Sequence, residues 1–162
     1  MNHVFWLRDG KLAGRCGPNK HPWQVETFKA QNFSAILSVN DGEGVHETLI
    51  RHCRLNYAHI PMSDNAPPRP GDKQYCLSQL PLAISFITDN LGDGPVLIHC
   101  RSGKDRTALV MAATLMTMEQ ISARTAMNHI IKVRPIAFTA DGWADFAQDV
   151  LTEFEKQQFT NL

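Results

Sequence analysis

One stretch of the sequence, residues 95–118, constrains the fold more than any other. A short apolar run at 96–98 is followed by a polar loop at 100–106, and this loop runs into a second apolar stretch at 108–118. The first run has the length of a buried strand, whereas the second extends over about three helical turns. The stretch therefore predicts a strand, a short loop and a helix in direct succession.

Predicted strands and helices alternate along the rest of the chain. Further strands are predicted at 4–7, 12–13, 33–39 and 55–60, and further helices at 22–31, 43–52, around 82–87, 122–133 and 141–156. Pro81 is expected in the first turn of its helix, where proline is tolerated. This alternation predicts an α/β fold with a central, mostly parallel, twisted sheet flanked by helices. Ligands of such sheets bind beyond the carboxyl ends of strands, where Cys100 lies.

Length and charge narrow the class of protein. The 162 residues suit one domain, 1–162, and the equal numbers of basic and acidic residues, 16 of each, give no reason to expect nucleic acid as a partner. The sequence begins without a signal-peptide pattern and has no apolar run of membrane-spanning length, so stable membrane insertion is not expected. Its four cysteines are widely spaced, which favours free thiols in a cytoplasmic protein. No pattern indicates an oligomeric state.

The 100–106 loop combines a thiol with an anion-binding pattern. Thiols attack as thiolates, and the N-terminus of the following helix, converging backbone N–H groups and the cations of Lys104 and Arg106 all favour that form. The planar fork of Arg106 can hold two oxygens of a phosphate, and Gly103 permits a close backbone approach. Thr107 can donate a hydrogen bond to the sulfur. This chemistry predicts attack of Cys100 on a phosphate ester to give a cysteinyl-phosphate.

Residues 99–107 resemble the signature loop of the cysteine-dependent protein tyrosine phosphatase superfamily, with the small dual-specificity-like phosphatases as the most similar branch. The resemblance extends to flanking features over most of the chain, namely Trp6, the hairpin at 12–14, the strand at 36–39 and the segments 60–64 and 134–135. It implies that Cys100 is the nucleophile, that Arg106 binds phosphate and that Thr107 assists departure of the thiolate. Further phosphate-binding residues implied by it are Arg101, Ser102, Gly103, Lys104 and Asp105. It also implies that His99 braces the loop.

The leaving oxygen of the ester needs a proton from a general acid on a separate element. Asp64 is the favoured candidate, because it lies in a proline-rich loop, 61–71, after a predicted strand, as the acid of the resembled family does. The alternative is Asp105, since some lipid phosphatases of the superfamily have an acid directly before the signature arginine. Asp105 is otherwise expected to hold the loop in shape through a salt bridge, and Asp64 to cap a turn.

The substrate class follows less directly from the sequence. The expected substrate is a phosphotyrosine or phosphoserine/threonine protein, or a small phosphoester. Arg101 and Lys104 leave a phosphoinositide substrate as an alternative, because extra basic residues in this loop resemble phosphoinositide phosphatases. A phosphate-binding pseudophosphatase without turnover is a second alternative, which the presence of Cys100, Arg106 and Asp64 opposes.

No cofactor or metal site is predicted. His46 begins a zinc-helix pattern but lacks the second histidine at position 50, and His52 and His59 complete no ligand set with it. One departure from the resembled family concerns Trp143, which occupies roughly the place of a glutamine that helps to position the hydrolytic water in some tyrosine phosphatases. Trp143 is expected to pack in the core.

Overall fold

The computed structural model of the chain describes residues 1–160, so the last two residues of the predicted domain lie outside the described part. The strands are β1 (Phe5–Arg8), β2 (Leu12–Arg15), β3 (Ala35–Ser38), β4 (Asn56–His59) and β5 (Val96–His99). The helices are α1 (Val25–Ala30), α2 (Glu47–His52), α3 (Asp72–Leu91), α4 (Arg106–Glu119), α5 (Ala123–Val133) and α6 (Trp143–Thr160). Within residues 1–160, no helix is both long and apolar enough to cross a membrane.

The five strands form one sheet in the order β1-β2-β5-β3-β4. Only β1 is antiparallel to its neighbour, which confirms the predicted α/β fold with a mostly parallel sheet flanked by helices. In the last row of the sheet, His99 pairs with Arg15 on one side and with Ser38 on the other. The carboxyl ends of the four parallel strands therefore meet at one edge, where the 100–106 loop begins.

The central strand β5 is buried on both faces. Val96 and Ile98 contribute to the larger core cluster, together with residues of α3 to α6, whereas Leu97 contributes to a smaller cluster with residues of α1 and α2. All three side chains are fully inaccessible to solvent. Helices on both sides of the sheet explain why this strand reads as an unbroken apolar run instead of an alternating one.

Helix α3 begins earlier than predicted. The expectation that Pro81 lies in the first turn is wrong, because the helix starts at Asp72 and the proline lies in its middle. Buried residues at helical spacing occur on both sides of the proline, among them Leu77, Leu80 and Ile84. Their packing outweighs the cost of an interior proline, about 3 kcal/mol. The proline-rich loop 61–71 consequently leads directly into α3.

Candidate active site

The 100–106 loop joins the end of β5 to the start of α4. Cys100 directly follows the strand and is buried, with 2% of its surface exposed. Thr107, in the first turn of α4, donates a hydrogen bond from Oγ1 to the Cys100 Sγ at 3.1 Å. Because the loop ends at the N-terminus of a 14-residue helix, the free N–H groups and the positive end of the helix dipole lie beside the sulfur. The arrangement can hold an anion next to the thiol.

Two arginines serve this loop in different ways. Arg134 donates from Nε to the Gly103 carbonyl oxygen at 3.1 Å and from Nη2 to the Ser102 carbonyl oxygen at 2.8 Å. Arg106 is partly buried, and within residues 1–160 its guanidinium forms no hydrogen bond or ion pair. Arg134 therefore holds the backbone of the loop, whereas the donors of Arg106 are available for a ligand.

The loop also packs closely on the segment that follows β2. Gly103 has a φ of +65°, in the left-handed region that favours glycine, and a Cβ atom there would lie 2.5 Å from the Arg15 carbonyl oxygen. The amide of Gly17 donates to the Arg101 carbonyl oxygen at 2.9 Å. These backbone contacts leave no room for a side chain at position 103 and fix the loop against the segment that follows β2.

His99 is fully buried, and burial lowers the pKa of its imidazole to about 4. The ring is therefore neutral near pH 7 and carries one proton. Nδ1 lies 3.0 Å from the Cys100 carbonyl oxygen, which can only accept, so Nδ1 is the protonated nitrogen. Nε2 then accepts from the Ser38 hydroxyl at 2.5 Å, and the hydroxyl of Tyr57 donates to Ser38 at 2.7 Å. A directed chain of hydrogen bonds thus ends on the backbone of the thiol residue.

The side chains of Lys104 and Asp105 point to a neighbouring loop instead of standing free. Lys104 Nζ donates to the Thr139 hydroxyl at 2.9 Å and lies 3.7 Å from Asp105 Oδ2. Asp105 Oδ1 accepts from the backbone N–H of Ala140 at 3.3 Å. The carboxylate joins two loops, which fits the shape-holding role considered for Asp105.

Two further residues form the rim of the loop. Arg101 is exposed, and the Ser102 hydroxyl accepts a hydrogen bond from Lys20 Nζ at 3.3 Å. Together with Arg106, these side chains place positive charge around the loop although the chain as a whole carries none in excess.

Asp64 lies on the proline-rich loop 61–71 after β4, at the same edge of the sheet. Its side chain is exposed, and it forms no hydrogen bond or ion pair within the described residues. The loop around it is held at both sides, since Gln79 donates to the Pro61 carbonyl oxygen at 3.2 Å and Trp143 Nε1 donates to the Asn65 carbonyl oxygen at 2.9 Å. The Asp64 carboxylate is thus unpaired within the described residues, while hydrogen bonds fix the backbone on both sides of it.

Trp143 is buried, as expected, and it also supports this loop through its indole N–H. The preceding Gly142 has a φ of +75°, and a Cβ atom there would lie 2.9 Å from Pro68 Cδ. The start of α6 therefore packs directly against the proline-rich loop. Trp143 and Gly142 thus contribute to the position of the loop that carries Asp64.

Several supporting residues were not predicted from the sequence, namely Arg15, Ser38, Tyr57 and the role of Arg134. Ser38 and Tyr57 lie within predicted strands, and a polar side chain in a buried strand was the only available signal. Arg134 was part of the resemblance but carried no assigned role. Each acts through contacts between residues far apart in the chain.

Residues 18–155 match the family model of the dual specificity phosphatase catalytic domain. Dual specificity protein phosphatase 19 of Mus musculus is 37% identical over 60 residues, which make up 36% of this chain and 27% of that protein. The chain spans between 18% and 51% of the lengths of the four curated relatives that it matches. The family match includes both the 100–106 loop and the proline-rich loop.

Solved phosphatase structures share the fold. Tk-PTP in its active form superimposes with a TM-score of 0.76 at 24% identity, over 96% of this chain and 98% of that one. PTPMT1 in complex with PI(5)P superimposes with a TM-score of 0.80 at 16% identity, over 99% of each chain. The family match, the shared fold and the loop geometry agree, and the chain belongs to the dual specificity phosphatase catalytic-domain family of the cysteine-dependent protein tyrosine phosphatase superfamily.

Proposed function

We propose that this chain is a cysteine-dependent protein tyrosine/dual-specificity phosphatase, that it hydrolyses phosphomonoesters through a cysteinyl-phosphate, and that residues 1–162 form a single phosphatase domain. One observation carries the proposal. The buried Cys100 sulfur accepts the Thr107 hydrogen bond at the N-terminus of α4, and Arg106, the first residue of that helix, forms no hydrogen bond or ion pair within the described residues. Nucleophile, helix terminus and free cation form one anion site.

In the first step, the Cys100 thiolate attacks phosphorus and the bond from phosphorus to the ester oxygen breaks. Backbone N–H groups of the loop and the fork of Arg106 hold the equatorial oxygens as charge moves onto the leaving group. Asp64, in its acid form, gives its proton to the leaving oxygen. The products are the free alcohol or phenol and a phosphate bonded to sulfur.

In the second step, the Asp64 carboxylate takes a proton from water, and the resulting hydroxide attacks phosphorus. The bond between phosphorus and sulfur breaks, inorganic phosphate leaves, and the thiolate is restored. Thr107 stabilises the departing sulfur through its 3.1 Å hydrogen bond. Each residue returns to its starting protonation state, and no cofactor takes part.

Asp64 is the proposed acid because its carboxylate is exposed and uncommitted on a loop held by Trp143. The carboxylate of Asp105 is occupied by the Ala140 amide and lies near Lys104. An acid that gives and retakes a proton needs access to substrate and water, which favours Asp64.

The proposed substrates are phosphotyrosine or phosphoserine/threonine proteins, with small phosphoesters as further substrates. Support comes from the family match and from the sequence similarity to Dual specificity protein phosphatase 19. The second candidate, a phosphoinositide, is favoured by the shared fold of PTPMT1, solved in complex with PI(5)P. The hydrogen bond from Lys104 to Thr139 argues against a phosphoinositide, because it leaves only Arg101 of the two additional basic side chains without a protein partner among the described residues. Neither substrate class calls for nucleic acid or for membrane insertion, and we propose a cytoplasmic location.

The test is hydrolysis of p-nitrophenyl phosphate by the wild type and by Cys100→Ser, with Cys53→Ser as the matched thiol control. We expect turnover in the wild type and the control, and a loss of about 10⁴-fold or more in Cys100→Ser. Turnover unaffected by Cys100→Ser would exclude the mechanism. A wild type that binds phosphopeptides without turnover would be the pseudophosphatase. A panel of phosphopeptides and phosphoinositides then separates the two substrate classes.

A further inference from the structure

Three metal-ligand side chains from separate parts of the chain meet beside the 100–106 loop. His3 precedes β1, Cys16 directly follows β2, and His21 lies between β2 and α1. Their ligand atoms all lie within 4.8 Å of one another, and in the part of the chain that the structure describes no other group of three or more histidine, cysteine or acidic side chains is gathered so closely. None of the three belongs to the phosphatase machinery described above.

We propose that His3, Cys16 and His21 form a Zn²⁺ site with three protein ligands and a water molecule as the fourth. One thiolate and two imidazoles are a donor set that suits zinc, whereas Mg²⁺ and Ca²⁺ prefer oxygen ligands. The cysteine is buried and the two histidines are exposed, so the site is open to solvent on one side. An ion can therefore enter without unfolding of the core.

The ligand geometry requires a small local movement. Tetrahedral zinc, with bonds of about 2.3 Å to sulfur and 2.0 Å to nitrogen, places its ligand atoms roughly 3.3–3.6 Å apart. The ligand atoms lie within 4.8 Å of one another, so the most distant pair must approach by up to about 1.5 Å. The rings of His3 and His21 now stack with centroids 4.1 Å apart and planes 10° apart. Because the lone pairs lie in the ring planes, the two exposed rings must rotate away from this parallel stack to face one ion.

Cys16 is held in place for this role by Arg15. The Arg15 Nε donates to the Cys16 carbonyl oxygen at 2.7 Å, and its Nη2 lies 3.5 Å from the Cys16 Sγ. These two contacts fix the position of the Cys16 sulfur, which binds zinc as the thiolate and gives up its proton when the metal binds. The positive charge of Arg15 repels every dication, zinc included, so binding and selectivity both rest on the preference of zinc for sulfur and nitrogen ligands.

The proposed zinc site is connected to the 100–106 loop through backbone contacts. A Cβ atom at Gly103 would lie 2.8 Å from the Cys16 amide nitrogen, and the Gly17 amide donates to the Arg101 carbonyl oxygen. The backbone on both sides of Cys16 therefore contacts the 100–106 loop. Zinc that ties this segment to His3, which precedes β1, stabilises the folded protein because it binds the native state more tightly than the unfolded chain.

The sequence did not point to this group. Its members are spread over 3–21 without a ligand motif, and the histidines considered there, His46, His52 and His59, lie outside it. Strand β2 brings Cys16 to the edge of the sheet, and the hairpin with β1 brings the N-terminal segment next to it.

The experiment uses the full chain carrying Cys100→Ser, which removes the nucleophilic thiol as a competing ligand. Zinc is titrated against a chromophoric chelator, and Co²⁺ replaces it to report tetrahedral geometry and sulfur ligation by absorption. We expect one equivalent of tightly bound metal, with a sulfur-to-cobalt charge-transfer band. Adding Cys16→Ser should abolish this band, and adding His21→Gln or His3→Gln should weaken binding by about tenfold or more. The matched controls Cys53→Ser and His46→Gln should change neither.

Binding that survives Cys16→Ser and His21→Gln, or the absence of a bound equivalent, would overturn the proposal. His21→Gln and His3→Gln alter exposed side chains, so they test the site even if Cys16→Ser fails to fold. Because the readouts are metal affinity and cobalt absorption, the outcome is independent of phosphate hydrolysis.

Discussion

The 100–106 loop and the proline-rich loop 61–71 lie at the same edge of the sheet but are held in different ways. The first is fixed by backbone contacts to the segment after β2, by the hydrogen bonds of Arg134 and by the hydrogen bond from the buried His99 ring. The second is held by single side-chain donors from α3 and from Trp143, while Asp64 itself stays exposed. The anion site is therefore rigid and preorganised, whereas the position of the proposed proton donor depends on a few long-range contacts.

This difference matches the demands of the proposed chemistry. Charge on the transferring phosphoryl group is stabilised best by donors that are already in place. A general acid has to contact leaving groups of different size and then water. An exposed carboxylate whose backbone is fixed by hydrogen bonds is suited to this role. Changes in the first loop are therefore expected to affect all substrates, and changes in the second mainly those with poor leaving groups.

Apart from removal of the nucleophile, the largest effect is expected for Arg106, the proposed phosphate-binding cation of the rigid loop. Arg106→Lys keeps the charge but removes the fork, and we expect kcat/KM to fall by roughly 10³-fold for every phosphoester. The melting temperature should change little, because Arg106 pairs with no other described side chain. The exposed Arg101→Lys is the matched control and should cost only a few-fold. Equal small losses in both variants would show that the anion site is not built around Arg106.

The two candidate acids test the comparison between the loops directly. On a substrate with a poor leaving group, Asp64→Asn should lower kcat by roughly 10²–10³-fold, because no proton reaches the leaving oxygen. On p-nitrophenyl phosphate, whose leaving group is stable as an anion, the loss should be much smaller. Asp105→Asn should instead reduce the melting temperature modestly. A leaving-group-dependent loss confined to Asp105→Asn would transfer the acid role to the rigid loop.

Sequence predicted the rigid loop far better than its supports. The elements that hold Cys100, Arg106 and Thr107 follow one another in the chain, so local patterns and the resemblance were sufficient. The contact between Trp143 and Asn65 joins residues far apart, and no local pattern encodes it. Pro81 was misplaced for a related reason, since the burial of α3 against the core, which decides the helix, is a tertiary property.

The buried His99 makes the rigid loop sensitive to acid. An unfolded histidine has a pKa near 6.5, whereas burial lowers the pKa of folded His99 to about 4. Between these values the unfolded chain binds a proton that the folded chain does not, so stability is full above pH 6.5 and is lost as the pH falls towards 4. The loss should be on the order of 3 kcal/mol.

Urea denaturation between pH 4 and pH 7.5 measures this effect. His99→Asn should flatten the dependence, because the titrating ring is gone, and the exposed His46→Asn should leave it as in the wild type. An equally steep loss of stability in His99→Asn would assign the acid sensitivity to other groups.

The smallest effect is expected at the support of the proline-rich loop. Trp143→Phe keeps most of the buried aromatic surface but leaves the Asn65 carbonyl oxygen without its donor. We expect a loss of about 1 kcal/mol in stability and about tenfold in kcat on poor leaving groups, since the loop carrying the acid is misplaced. Trp6→Phe, at a partly buried side chain packed against the smaller core cluster, is the control that should affect stability alone. A Trp143→Phe enzyme with unchanged leaving-group dependence would separate this tryptophan from the acid loop.

The most direct test of the central claim is to trap the intermediate. Wild-type protein and Cys100→Ser are mixed with p-nitrophenyl phosphate, quenched with acid within the first turnovers, digested and analysed by mass spectrometry. We predict one phosphate on the peptide that contains Cys100, transient in the wild type and absent from Cys100→Ser. Turnover without phosphate on the protein, or phosphate on another residue, would contradict the proposed chemistry of the 100–106 loop.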